Sequence, residues 1–188
     1  MTIQTGCSAT MVGLHEACQA LKLQHCSSAV VAGANLICTP TMTESLSAAG
    51  VLSPGGNCQT FDADANGYAR GEAINAIYIK RLGDALKAGD NVRAVIRSTT
   101  VNCDGKTVGM MSPSSDAQEA LIRSAYRHAG LAGQYHRTGL FECHGTGTLV
   151  GDSMETAAIA KVFAPEGVVI SGVRRPLSIT RPRIDSGG

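Results

Sequence analysis

Residues 138–163 read TGLFECHGTGTLVGDSMETAAIAKVF, and this stretch restricts the fold more than any other. LFEC is a short apolar run of strand length ending at glycines, which predicts a buried strand entering a glycine-rich turn. Asp152 and Glu155 stand three residues apart in capping-box register, so a helix is predicted to begin there and carry AAIAKVF. A further short apolar run, VVIS, follows at 168–171. A strand passing through a tight turn into a helix and on to another apolar run is the order of an α/β fold.

The rest of the chain extends that order. Met11, Leu14, Cys18 and Leu21 recur at helical spacing, which predicts an amphipathic helix from Ser8 to about Lys22. SSAVVAGAN then reads as a buried strand. Residues 39–69 are rich in Pro, Gly, Ser, Thr and Asn and read as a long loop, with a short helix near Met42 to Ala49. AINAIYIKRL is apolar enough for a central strand, DALKAGD for a short helix, and NVRAVIRSTTVN for another strand. Ala117, Leu121, Ala125 and His128 predict a helix from Ser114 to about Ala129, stopped by Gly130.

At 188 residues, with 44% apolar and 16% charged residues and a net charge of +1, the chain suits one domain with a real core. It has no basic stripe for nucleic acid. Its longest apolar stretch, Ala29 to Cys38, is too short for a membrane span, and no signal-peptide pattern opens it. Seven cysteines without metal-ligand spacing read as reduced thiols of a cytosolic protein, mostly small core residues. Twenty-two glycines and no tryptophan predict tight loops and close backbone packing rather than aromatic clusters.

Two residues could carry chemistry. Cys7 lies between Gly6 and Ser8 at the start of the first helix, where the dipole favours thiolate and free N–H groups can hold an oxyanion. An inert buried thiol is the commoner fate of such a residue. His144 follows a strand and precedes a glycine turn, so its ring could donate to a substrate carbonyl. Thr146 and Thr148 would present hydroxyls beside it, unless they simply cap the turn. The other histidines, His15, His25, His128 and His136, read as solvated or structural. Arg70 and Glu72 read as a structural ion pair, and Asn102, Asp104 and Gly105 as a turn. HGTGT lacks the lysine and helix context of a nucleotide loop.

Taken in order, TGCSAT, FDADANGYARGE, NCDGK and ECHGTGTLVGDSME resemble the β-ketoacyl synthase (ketosynthase) domain of polyketide synthases, closest to the reducing iterative type of fungi. The likeness runs from about Thr2 to Ile170. It implies a partial thiolase-like fold of layered α/β/α, from the second part of the first repeat onward, in residues 1–171, and a homodimer in the intact family. It also implies that Cys7 is the acyl-accepting nucleophile and His144 the first of two catalytic histidines. Thr146 and Thr148 would line the channel for phosphopantetheine, which an acyl carrier protein presents, no cofactor being bound directly. The implied reaction is acyl transfer to cysteine, then decarboxylative Claisen condensation with a malonyl thioester.

Two departures stand beside the resemblance. The family has a long half ahead of the cysteine and a second histidine in a K-x-N-x-G-H segment, neither of which this sequence carries. We read 172–188 as an unmatched tail, translated out of frame or from retained intron. A non-catalytic remnant, at most pairing with an intact synthase, is therefore the second reading, and a thiolase-like acyltransferase outside polyketide synthesis a third. Strands left without their covering layer should expose apolar surface and favour aggregation.

Overall fold

A computed structural model describes residues 1–109, 112–164 and 167–172. The expected unmatched tail lies, from 173 on, outside the described residues. The elements run in order as α1 (Ala9–Lys22), β1 (Ser28–Asn35), α2 (Thr41–Ala48), β2 (Ala73–Lys80), α3 (Leu82–Ala88), α4 (Ser115–His128), β3 (Leu140–Cys143), α5 (Leu149–Phe163) and β4 (Val169–Gly172). A 3-10 turn, Gly6–Ser8, leads into α1.

Two strand pairs organise these elements. β1 and β2 are antiparallel, with Val31 opposite Ile77 and Gly33 opposite Asn75. β3 and β4 are parallel, Leu140 facing Val169 and Cys143 facing Gly172, with α5 as the crossover that a parallel pair requires. Helix α1 lies on one face of β1. A Cβ at Gly33 would fall 2.5 Å from Thr10 Oγ1, and one at Gly13 3.6 Å from Val31 Cγ1, so small residues on both elements permit the close approach.

The core sits around α5. Ile159, Val162 and Phe163 are buried with Cys143, and Ile122, Tyr126, Tyr135 and Phe141 pack against them. The Phe163 ring meets Tyr126, Tyr135 and Phe141 at centroid distances of 5.9, 5.9 and 5.6 Å, each edge to face. Four of the seven aromatic residues therefore form one cluster, contrary to the composition-based expectation. A small number of rings can still converge, because α4, α5, β3 and the 3-10 turn Tyr135–Arg137 each bring one to the same point.

The apolar runs differ from expectation in their cover. In β1 only Val31 is buried, and β2 is exposed along most of its length. Val30, Ile74 and Tyr78, which share the face away from α1, are 67%, 72% and 63% exposed. A two-stranded ladder buries one face at most, so a sequence apolar on both faces stays half uncovered.

Residues 91–102, predicted as a strand, form none among the described residues. The segment's last residues, 98–102, keep an alternating pattern by running along α4 instead. Ser98 Oγ donates to Ala125 O (2.7 Å), Thr100 Oγ1 to Leu121 O (3.5 Å) and Asn102 Nδ2 to Ala117 O (2.8 Å). Two extended residues advance about 6.6 Å and four helical residues about 6 Å, so every second side chain meets successive turns of the helix.

Candidate active site

Cys7 sits in the 3-10 turn just ahead of α1, and Gly6 before it takes φ +66°, a left-handed conformation that suits glycine. Ser8 Oγ lies 2.9 Å from both the carbonyl and the hydroxyl oxygen of Thr5, which pins the turn. Cys7 is exposed, so it is not the inert buried thiol that was its commoner alternative. Among the seven free cysteines only Cys143 is buried, whereas Cys7, Cys38 and Cys103 are exposed. The expectation that most would be core residues therefore fails.

His144 follows β3 directly. Its Nε2 lies 4.0 Å from Cys7 Sγ across 137 residues of sequence. Both residues are open to solvent, as a site that admits a substrate from outside must be. His15 is a structural histidine, its Nδ1 2.9 Å from Thr99 Oγ1.

The turn carrying His144 is held by a network that sequence reasoning assigned otherwise. Helix α5 begins at Leu149, three residues before the expected start, with Thr148 as its N-cap: Gly151 N donates to Thr148 Oγ1 at 3.2 Å. Asp152 and Glu155 form no capping box. The buried Asp152 carboxylate accepts from Phe61 N (2.7 Å) and Gly147 N (3.0 Å). The Glu155 carboxylate accepts from His144 N (2.6 Å) and Gly145 N (2.9 Å). Asp152 lies in the first turn of α5, where the helix dipole favours a carboxylate. The spacing Asp-x-x-Glu signalled a helix start, but only the folded turn shows which N–H groups the carboxylates take.

The 59–68 loop closes over the same turn. Thr60 Oγ1 donates to Gly145 O (2.6 Å) and Gly67 N to Gly147 O (2.8 Å). Gly145 (φ +51°) has Thr60 Cγ2 2.6 Å from where a Cβ would sit, and Gly147 (φ +71°) has Gly67 O at 3.0 Å. Close contact as well as backbone conformation therefore demands glycine at both positions. The FDADANGY and HGTGT blocks, far apart in sequence, form one structural unit.

Beside His144 opens a cleft of about 660 Å³. Thr146, Thr148 and Glu155 give it polar groups, and Leu121, Phe141 and Ile159 apolar wall. Thr146 Oγ1 lies 3.2 Å from Thr148 Oγ1. Thr148 is thus committed to the helix cap as well as the cleft. Neighbouring Cys143 is held as a protonated thiol: burial, reinforced by the charges of Glu155 and Glu142, pushes it up to about 12.

Arg70 and Glu72 do not pair. Arg70 Nη1 donates to Thr43 Oγ1 of α2 (2.5 Å), while Glu72 accepts from Ile37 N (2.5 Å). Both tie the loop to β1 and α2. Of the residues expected to make a turn, Asp104 accepts from Ser114 N (3.1 Å) at the start of α4 and Gly105 takes φ +68°, whereas Asn102 lies along α4.

With this geometry in hand, the likeness to known proteins is specific. Solved ketosynthases share the fold. The ketosynthase from module 6 of the bacillaene synthase from Bacillus subtilis 168 superposes with a TM-score of 0.87 at 38% identity, over 91% of this chain and 32% of that one. The oxazolomycin ketosynthase domain OzmH KS7 of Streptomyces albus JA3453 gives 0.87 at 35%, over 92% of this chain and 30% of that one. The architecture is therefore a partial thiolase-like α/β fold. The family model described as β-ketoacyl synthase, N-terminal domain, matches residues 1–85, and that of the C-terminal domain matches 93–180. The chain belongs to the β-ketoacyl synthase family. It is 54% identical over 174 residues to the highly reducing polyketide synthase gloL of Glarea lozoyensis, covering 92% of this chain and 7% of that protein. To the highly reducing polyketide synthase ALT1 of Alternaria alternata it is 57% identical over 162 residues, 86% of this chain and 6% of that one.

Proposed function

We propose that the chain carries the acyl-accepting part of a β-ketoacyl synthase of polyketide biosynthesis, with Cys7 as nucleophile and His144 as its partner. The observation that carries this reading is the 4.0 Å approach of Cys7 Sγ to His144 Nε2, at the start of a helix and at the rim of a partly apolar cleft. The Cys7 sulfur attacks the thioester carbonyl of an acyl group carried on phosphopantetheine. A new C–S bond forms, the carrier thiol leaves, and the proton from Cys7 passes to it. In the condensing step a malonyl thioester loses carbon dioxide, and the enolate carbon attacks the acyl-cysteine carbonyl. The C–C bond forms as the C–S bond to Cys7 breaks. His144 would donate its ring N–H where the enolate oxygen gains charge.

Thr146 and Thr148 are proposed to face the phosphopantetheine arm of an acyl carrier protein, which the multidomain nature of the relatives makes a natural partner. Pairing with a second ketosynthase domain draws support from the uncovered apolar face of β1–β2. A cytoplasmic setting suits a chain of seven free thiols, and among the described residues no helix is long and apolar enough to cross a membrane.

Among the described residues His144 is the histidine set against Cys7, and this sets the expected balance of activities of this polypeptide. Losing one oxyanion donor costs about a hundredfold or more, so this polypeptide should take an acyl group without elongating it efficiently. The test is incubation with an acyl N-acetylcysteamine thioester, read by peptide mass spectrometry. Label on Cys7 that disappears in Cys7→Ala supports the reading. Label absent from Cys7 refutes it, and efficient chain elongation by this polypeptide alone refutes the one-histidine limit.

A further inference from the structure

We propose that Asn66, with Gly67 after it, is a deamidation site, at which Gly67 N displaces the Asn66 amide when the 59–68 loop lifts off the HGTGT turn. Asn66 is the one asparagine of the chain followed by glycine, the neighbour that least hinders attack on the side chain. It is exposed, its amide takes no hydrogen bond among the described residues, and it lines the cleft beside His144. Gly67 is in the opposite state. It is buried at φ +130°, and its N–H is donated to Gly147 O at 2.8 Å. Backbone crowds it further, since a Cβ there would fall 2.6 Å from Leu52 C and 2.7 Å from Val51 O. An N–H held in this way keeps its proton and cannot swing onto the Asn66 side chain. The electrophile is open to solvent while the nucleophile is locked, and the lock is the contact between two distant blocks of sequence.

Once the loop lifts, Gly67 N gives its proton to solvent and attacks Asn66 Cγ. The N–C bond forms, the bond to the side-chain nitrogen breaks, and ammonia leaves. Water then opens the resulting succinimide at either carbonyl, giving aspartate or isoaspartate at 66; nothing is oxidised or reduced. Isoaspartate carries the main chain through the side-chain carbon, which lengthens the backbone by a methylene group. Tyr68 N, which donates to Val51 O (3.1 Å), and Tyr68 O, which accepts from Ser53 N (3.0 Å), then lose their register along with the Gly67 bond. Either acid adds a negative charge to a cleft that already holds Glu155. Opening is therefore recorded covalently, and the loop of an isoaspartate chain cannot close as before.

The test follows the full chain in mildly alkaline buffer. Peptide mass spectrometry reads the conversion of amide to acid at 66, and chromatography separates aspartate from isoaspartate. Local structure protects by the equilibrium constant of its opening, so conversion should run at least about tenfold slower in native buffer than in urea. Thr60→Val removes the bond from Thr60 Oγ1 to Gly145 O (2.6 Å) that holds the loop on the turn, and should speed conversion in native buffer at least about threefold. Hydrogen exchange of Gly67 N–H needs the same opening, so its protection factor in the parent chain should agree with that against deamidation within about threefold. If circular dichroism shows Thr60→Val unfolded, that agreement decides alone, and a mismatch overturns the proposal. No conversion at 66 in urea, equal rates in native buffer and urea, or a folded Thr60→Val chain that converts no faster than the parent would each overturn it as well. The step uses neither Cys7 nor His144, so its outcome stands apart from that of the acyl-transfer test.

Discussion

Replacing Asp152 should damage this chain more than almost any other single change near the site. The residue is 6% exposed, and its carboxylate accepts two backbone N–H groups, from Phe61 at 2.7 Å and Gly147 at 3.0 Å. These bonds join the start of α5 to both the 59–68 loop and the HGTGT turn. Hydrogen bonds to a charged acceptor are worth about 1.5–3 kcal/mol each. Asp152→Ala removes both and strands their donors, so the expected loss is about 3–5 kcal/mol. That is a large share of the roughly 5–15 kcal/mol that holds a typical domain together. Asp152→Asn keeps one oxygen but turns an NH₂ toward the other donor, and should cost about half as much. The assay is urea unfolding followed by circular dichroism, with melting temperature as a second reading. At about 2–4 °C per kcal/mol for a chain of this size, Asp152→Ala should melt on the order of 10 °C lower. Ser153→Ala, next along the helix and exposed, is the control and should stay within about 0.5 kcal/mol. An Asp152→Ala chain within 1 kcal/mol of the parent would refute the idea that this carboxylate joins loop, turn and helix.

Gly145→Ala should cost about 2–4 kcal/mol, because left-handed strain adds to overpacking: the new Cβ would lie 2.6 Å from Thr60 Cγ2 and 3.1 Å from Gly172 Cα. Gly130→Ala, with φ +69° and nothing within 4 Å, should cost only about 1 kcal/mol, and equal costs in urea unfolding would count against the close contact. The Cys143 thiol, raised from 9.0 to about 12 chiefly by burial, makes stability fall at alkaline pH. Between those values the unfolded chain releases a proton that the folded chain keeps, so the contribution is whole below pH 9.0 and is lost as pH rises toward about 12. Comparing urea midpoints at about pH 8 and about pH 10 should show this slope, and Cys143→Ala should flatten it. A slope unchanged by Cys143→Ala would remove Cys143 as its source.

The sequence by itself settled what is local. The helix expected from Ser114 does begin there, Ser114 accepting from Ala117 N at 3.2 Å as its cap, and Gly130 does end the helix region with φ +69°. Both follow from short-range geometry that few residue types satisfy. The periodicity of α1, the short α2 and the runs that became β3 and β4 were legible for the same reason. The motif order carried the family, since four blocks at their spacings are far more specific than any one of them. Tertiary structure decided the rest. It placed Cys7 against His144, residues 137 apart whose local patterns each allowed a blander role. It gave the helix cap to Thr148 and freed Asp152 and Glu155 to hold the turn, because a carboxylate takes whichever N–H groups the fold presents. It laid residues 98–102 along α4 and left one face of β2 open, since an apolar run carries no record of which element will cover it. Proximity across a chain is created by packing, and packing is where this site comes into being.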